Sequence, residues 1–192
     1  EIQVGDTDNI TEAKATAAST DSTTYAWKTA IHADMTTDKI GVKGKGVTVG
    51  VYDGCTVRKD YYDLKNTDLT VLDKGNNYGD YHATNVTRIL AGSHGVVPKA
   101  KVYTSHSNIA TEPEIEKLIE LGVSIINMSL AYERPNGDYY TTFEKWIDHI
   151  SYQHKVTVVF ATGNVSKLKT TTVGGGAMAY NVLTVGGLNT YD

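Results

Sequence analysis

The stretch GKGVTVGVYD, residues 44–53, is the clearest fold signal in the sequence. A short β-branched run, Val47–Val51, stands directly before Tyr52 and Asp53, which predicts a buried strand that ends on a carboxylate. No glycine of this stretch follows the strand, whereas the phosphate-binding loop of a nucleotide-binding βαβ unit follows its strand. We therefore rank a nucleotide-binding domain below the other interpretations.

Strand and helix patterns alternate on the C-terminal side of this stretch. Apolar runs predict further strands, and apolar residues spaced by three and four predict helices between them. Near-continuous apolar strands that alternate with helices are typical of an α/β fold, with a parallel sheet and helices on both faces. The further predicted strands are 69–72, 101–103, 123–128, 156–160 and 182–185. One helix is predicted over 82–91. Two more helices are predicted to begin at capping boxes, at 111–114 and at 141–144.

The first part of the chain has a different composition. Residues 1–24 are rich in Thr, Ala, Ser and Asp and show little apolar periodicity, so we predict an extended lead-in arm there. From Tyr25 the pattern changes, and Trp27, Ala30, Ile31 and Met35 are spaced to line one face of a short helix. We therefore treat 25–192 as the portion of the chain that belongs to the folded domain.

Bulk composition excludes several classes of protein. The net charge of −4 gives no basis for nucleic-acid binding, and no apolar run is long enough to span a bilayer. The single cysteine, Cys55, excludes an internal disulfide framework, and no Cys/His spacing predicts a zinc site. The N-terminus lacks the basic and apolar pattern of a signal peptide.

Five segments resemble the subtilase family, the subtilisin-like serine proteases, and they follow one another in the family's order. They are 44–53, 82–92, 95–103, 125–130 and 158–164, with 182–186 as a weaker sixth. Each segment alone is a modest signal, but the ordered set is strong. The resemblance implies a subtilisin-like α/β fold that is incomplete at the C-terminus.

The resemblance also implies the roles of three site residues. His82 corresponds to the general base, Asp53 to the carboxylate that orients it, and Asn164 to the amide that stabilises the oxyanion. Taken singly, each has a plainer interpretation: a structural histidine, an Asp-Gly turn and a Gly-Asn turn. The order of the segments favours the catalytic interpretation for all three.

Four further residues are assigned to substrate binding by the same resemblance. Ser129, Leu130 and Ala131 correspond to the strand that pairs with an extended peptide, and Gly163 stands next to the oxyanion residue. Some residues depart from the family's motifs, and these substitutions affect the geometry around His82 and the shape of the substrate subsites. Glycine is replaced at Ala83 and Ala131, and the second, non-catalytic histidine of the motif is replaced by Asn85.

No cofactor or metal is expected. The loop that binds calcium in many subtilases is inserted after the catalytic histidine, and here only 93–94 separate the two flanking motifs. Asp63 resembles a carboxylate that helps to bind calcium in some members, but without the loop we interpret it as a solvated side chain.

The nucleophile of the family is not found in this sequence. It lies in a Gly-Thr-Ser-Met-Ala motif, and no serine of this chain has those neighbours. We therefore expect a secreted serine endopeptidase whose serine lies C-terminal to this chain. Its partners would be a peptide or protein substrate and the remainder of the domain, and this chain alone should be inactive. The alternative is an inactive subtilase-like scaffold that binds a peptide or a partner protease.

Overall fold

A six-stranded parallel sheet forms the centre of the molecule. The computed structural model describes residues 10–12, 26–72, 81–106, 111–132, 140–164 and 173–187. Within them the strands of the main sheet are β2 (Thr48–Asp53), β3 (Asp68–Val71), β4 (Lys101–His106), β5 (Ile125–Met128), β7 (Thr157–Ala161) and β8 (Val182–Val185). Their order is β3-β4-β2-β5-β7-β8, and all neighbours run parallel. The predicted α/β class with a parallel sheet is therefore confirmed.

The second part of the GKGVTVGVYD stretch forms the strand β2 in the middle of the sheet. It pairs with β4 on one side and with β5 on the other. After β2 the chain moves toward one edge of the sheet, and after β5 it moves toward the other edge. The carboxyl ends of β2 and β5 therefore flank a topological switch point, where open α/β sheets place their ligands.

Helices cover both faces of the sheet, as the strand pattern predicts. The side chains of Val51 and Tyr52 alternate along β2 and enter two different buried clusters. Val51 packs with helix α2 (His82–Ala91), and Tyr52 packs with α3 (Thr111–Glu120) and α4 (Thr142–His154). No helix in the described ranges is long and apolar enough to cross a membrane.

A second, two-stranded sheet involves the N-terminal region. The strand β1 (Ile10–Glu12) pairs antiparallel with β6 (Leu130–Tyr132), so a short part of the predicted arm carries regular structure. The rest of the arm lies outside the described residues, and the domain boundaries remain a prediction.

The prediction that Trp27, Ala30, Ile31 and Met35 line one face of a short helix is wrong. Helix α1 covers only Ala26–Ala30 and is followed by a short π-helix at Met35–Lys39. His32 has a φ of 56°, a left-handed conformation that interrupts a right-handed helix. As a result Ile31 and Met35 are 60% and 45% exposed and do not share a buried face.

A buried carboxylate ties the start of α4 to the 173–187 segment. The predicted capping box is present: Glu144 accepts hydrogen bonds from the backbone N–H and the hydroxyl of Thr141, at 2.7 and 2.6 Å. Its other oxygen accepts the Gly176 N–H at 2.7 Å, and the side chain is fully buried. One carboxylate thus satisfies donors from two separate parts of the chain.

Replacing this carboxylate by an amide should destabilise the fold. In Glu144→Gln one oxygen becomes an NH₂ group that faces donors, so at least one buried donor loses its acceptor. We expect the free energy of unfolding to fall by about 2–3 kcal/mol in urea unfolding. The matched control Glu120→Gln, on an exposed position of α3, should change it by less than about 0.5 kcal/mol. Equal stability of the two variants would show that the buried carboxylate does not link these segments.

Candidate active site

Two predicted site residues meet at the carboxyl edge of the sheet. Asp53 is the last residue of β2 and His82 is the first residue of α2. The Nδ1 atom of His82 lies 2.8 Å from Oδ1 and 3.0 Å from Oδ2 of Asp53, and the residues are only 7% and 1% exposed. The Gly54 N–H donates to Oδ1 of Asp53 at 2.7 Å and helps to fix the carboxylate. A carboxylate on Nδ1 holds the imidazole in the tautomer whose Nε2 can accept a proton.

The departures from the family motif are accommodated next to His82. Ala83 is fully buried, and its N–H points at the sulfur of Cys55 at 3.5 Å. Asn85 uses its side-chain oxygen to accept a hydrogen bond from Arg88 at 3.1 Å. The two replacements therefore leave the contact between Asp53 and His82 in place.

Asn164 lies at the same edge of the sheet as this pair. The strands β2, β5 and β7 are parallel neighbours, so their carboxyl ends face the same side. Asn164 follows the end of β7 and is half-buried, and Gly163 before it has a φ of 102°, a conformation that favours glycine. The structure thus gathers the carboxylate, the imidazole and the amide at one edge.

The predicted substrate strand is already paired. Leu130 and Ala131 are buried residues of β6, and their register partners in β1 are Glu12 and Thr11. Ser129 stands between β5 and β6, and its Oγ accepts a hydrogen bond from the amide of Asn127 at 2.9 Å. An extended peptide that bound to this edge of β6 would have to replace β1.

Three consecutive glycines, 174–176, pack against β6, and the sequence alone predicts no role for them. A Cβ atom on Gly174 would lie 2.8 Å from the Cβ of Ala131, so only glycine permits this approach to β6. The triplet itself was the available signal, because consecutive glycines mark close backbone contact. Their N–H groups donate to the carbonyls of Thr162 and Tyr132 and to the carboxylate of Glu144, at 2.8, 2.9 and 2.7 Å.

The interpretation of Asp63 as a solvated side chain is wrong. Its carboxylate accepts hydrogen bonds from the guanidinium of Arg88 and from the hydroxyl of Ser93, and it is only 13% exposed. A carboxylate that is already neutralised by a guanidinium does not fit as a calcium ligand. No cluster of three or more His, Cys, Asp or Glu side chains suited to a metal occurs in the part of the chain that the structure describes.

Comparison with known proteins places these features in a family context. The sequence pattern of the subtilase family matches residues 44–192. No curated protein matches the chain by sequence.

Several solved structures share the fold. The prenylagaramide maturation protease PagA is 25% identical with a TM-score of 0.59, over 75% of this chain and 54% of that one. The protease domain of PatA is 22% identical with a TM-score of 0.62, over 78% and 61%. A lanthipeptide protease is 15% identical with a TM-score of 0.57, over 84% and 54%. The chain thus spans only about half of these structures.

Proposed function

This chain belongs to the subtilase family, and we propose that it supplies three catalytic groups to a serine endopeptidase. They are the carboxylate of Asp53, the general base His82 and the oxyanion donor Asn164. The serine would lie C-terminal to Asp192 in the parent protein. The observation that carries the proposal is the buried hydrogen bond between Asp53 and His82, at 2.8 Å. Secretion, a peptide or protein substrate and a C-terminal remainder of the domain form part of the same proposal.

The chemistry follows from the orientation of the imidazole. With Nδ1 of His82 donating to Asp53, Nε2 can take the proton of a serine hydroxyl as that oxygen attacks the peptide carbonyl. The imidazolium then returns the proton to the departing amine, and a water molecule repeats the sequence to release the acyl group. Asp53 stays ionised and stabilises the imidazolium throughout. The amide of Asn164 would donate to the carbonyl oxygen as it gains negative charge.

Substrate binding would use the backbone of β6. Main-chain hydrogen bonds to an added strand give affinity, and neighbouring surfaces give specificity. The triglycine 174–176 reaches one side of β6 at Tyr132, and β1 pairs with it along Leu130–Tyr132. Because the 25%-identical PagA is described as a maturation protease, we include precursor-like peptides among the substrates to be tested.

The proposal is tested by incubating a peptide library with the full-length protein and with the 192-residue chain. We expect mass spectrometry to show cleavage products with the full-length protein and none with the chain alone. Peptides that bind to the full-length protein but remain intact would contradict the endopeptidase and favour the inactive scaffold. Cleavage by the 192-residue chain alone would contradict the assignment of the nucleophile.

The strand β1 should compete with an extended peptide for β6. Deletion of residues 1–12 removes β1, so β6 no longer has to be vacated before a peptide pairs with it. We expect the Kd of a non-cleavable peptide to fall by up to about tenfold, which corresponds to β1 being docked about nine-tenths of the time. Fluorescence anisotropy measures this Kd. Deletion of residues 1–5 only, which leaves β1 intact, is the matched control, and equal Kd values for both deletions would rule out the competition.

A further inference from the structure

Arg88 connects the helix that carries His82 to the segment that follows Asp53. It lies on α2, and its Nε and Nη2 atoms donate to Oδ2 of Asp63 at 3.0 and 2.8 Å. The side chains of Arg88 and Asp63 are 12% and 13% exposed, so this ion pair is largely shielded from water. Screening by solvent is therefore much weaker here than for an ion pair on the surface.

The guanidinium is held in one orientation by further contacts. Nη1 donates to the side-chain oxygen of Asn85 at 3.1 Å, and Nη2 also donates to the hydroxyl of Tyr62 at 3.1 Å. The guanidinium carbon lies 4.5 Å from the centre of the Tyr61 ring, within the range of a cation–π contact. A planar fork with donors in fixed directions can make all these contacts at once, whereas a lysine ammonium on a flexible stem cannot.

Other hydrogen bonds join the same two parts of the chain along the whole helix. Near the start of α2, the Arg58 N–H donates to the hydroxyl of Thr84 at 3.0 Å. Near its end, the hydroxyl of Thr67 donates to the carbonyl of Ala91 at 3.0 Å. The ion pair between Asp63 and Arg88 lies between these contacts. The segment 54–67 and the helix therefore behave as one packed unit, with Asp53 and His82 at its tip.

We propose that Arg88 is a positioning residue that sets the register of the His82 helix against the segment that begins at Asp53. The expected loss of kcat rests on the proposed protease function. The expected change in the hydrogen bond between Asp53 and His82 does not require catalysis. Arg88 does not touch the reacting atoms. Its loss would let the helix shift along the segment, which would misalign the imidazole with the carboxylate.

Two measurements on the full-length protein test this role. The first is kcat and KM for a peptide substrate, and the second is the downfield NMR signal of the Nδ1 proton that His82 shares with Asp53. In Arg88→Met we expect kcat to fall by about tenfold to a hundredfold with KM unchanged within about twofold, because small misplacements of catalytic groups have effects of this size. The downfield signal should broaden or move upfield. Arg88→Lys should recover part of kcat, since it retains the charge but not the fork.

Milder and matched variants keep the test decisive if Arg88→Met does not fold. Tyr62→Phe removes only one hydrogen bond to the guanidinium and should lower kcat by about twofold to fivefold. The control is Lys117→Met, which removes an exposed cation from α3, a helix that packs in a different buried cluster from α2. Its removal should leave both readouts unchanged.

The outcomes separate this inference from the proposed function. If the folded Arg88 variants keep the wild-type kcat and the wild-type downfield signal and lose only thermal stability, Arg88 is merely structural and the inference is overturned. If the wild type cleaves no peptide but the downfield signal still shifts in Arg88→Met and not in Lys117→Met, the proposed function fails while the positioning role stands.

Discussion

Replacing His82 by alanine in the full-length protein should reduce kcat for peptide hydrolysis by about 10⁴- to 10⁶-fold, the range that triad replacements give in serine proteases such as subtilisin. Without the imidazole no group is left to take the serine proton, and the buried carboxylate of Asp53 loses its main hydrogen-bond partner on α2. KM should change little, because in the proposed mode of binding the peptide pairs with β6 and does not depend on His82. The quantities to measure are kcat and KM with a chromogenic peptide.

The matched control for this variant is His154→Ala. His154 is the last residue of α4 and is exposed, so it shares only the residue type with His82. We expect its kcat to equal that of the wild type within about twofold. Wild-type activity in His82→Ala would show that a different group acts as the base, and the proposed mechanism would then be abandoned.

The second large effect is expected at Asn164. Removing its amide in Asn164→Ala should lower kcat by about a hundredfold to a thousandfold, the magnitude known for this donor in subtilisin, which is the reference case for the effect. The loss should appear in kcat rather than KM, because the carbonyl oxygen gains negative charge in the transition state and the tetrahedral intermediate and carries none in the bound substrate. Steady-state kinetics with the same peptide measures the split.

Asn66 offers a comparison for Asn164. It is an exposed asparagine in the turn before β3, and Asn66→Ala should leave kcat within about twofold of the wild type. Equal kcat values for the two variants would remove Asn164 from the oxyanion site. A rise in KM alone for Asn164→Ala would instead assign it to substrate binding.

The sequence predicted the parts of the fold that depend on local pattern. The apolar run before Asp53 became β2, and the spacing of apolar residues after His82 became α2. The capping box at Thr141 and Glu144 formed as its residue types require. In each case neighbouring residues along the chain contain the whole signal, so no knowledge of distant contacts is needed.

Other features depend on contacts between distant segments and could not be derived in this way. The residues next to Asp63 in the sequence do not indicate that Arg88, which is 25 residues away, is its partner, so the sequence alone favours a solvated side chain. The pairing of β1 with β6 joins residues that lie far apart in the sequence and share no distinctive motif. The interruption at His32 depends on a backbone conformation that its residue type does not dictate.

The central claim is that the buried pair of Asp53 and His82 serves a nucleophilic serine supplied by the rest of the domain. Labelling of the folded full-length protein with a fluorophosphonate probe tests it most directly. We predict one probe per molecule, attached to a serine beyond Asp192, and almost none in His82→Ala. An unlabelled wild type, or a His82→Ala variant that reacts as fast as the wild type, would contradict it.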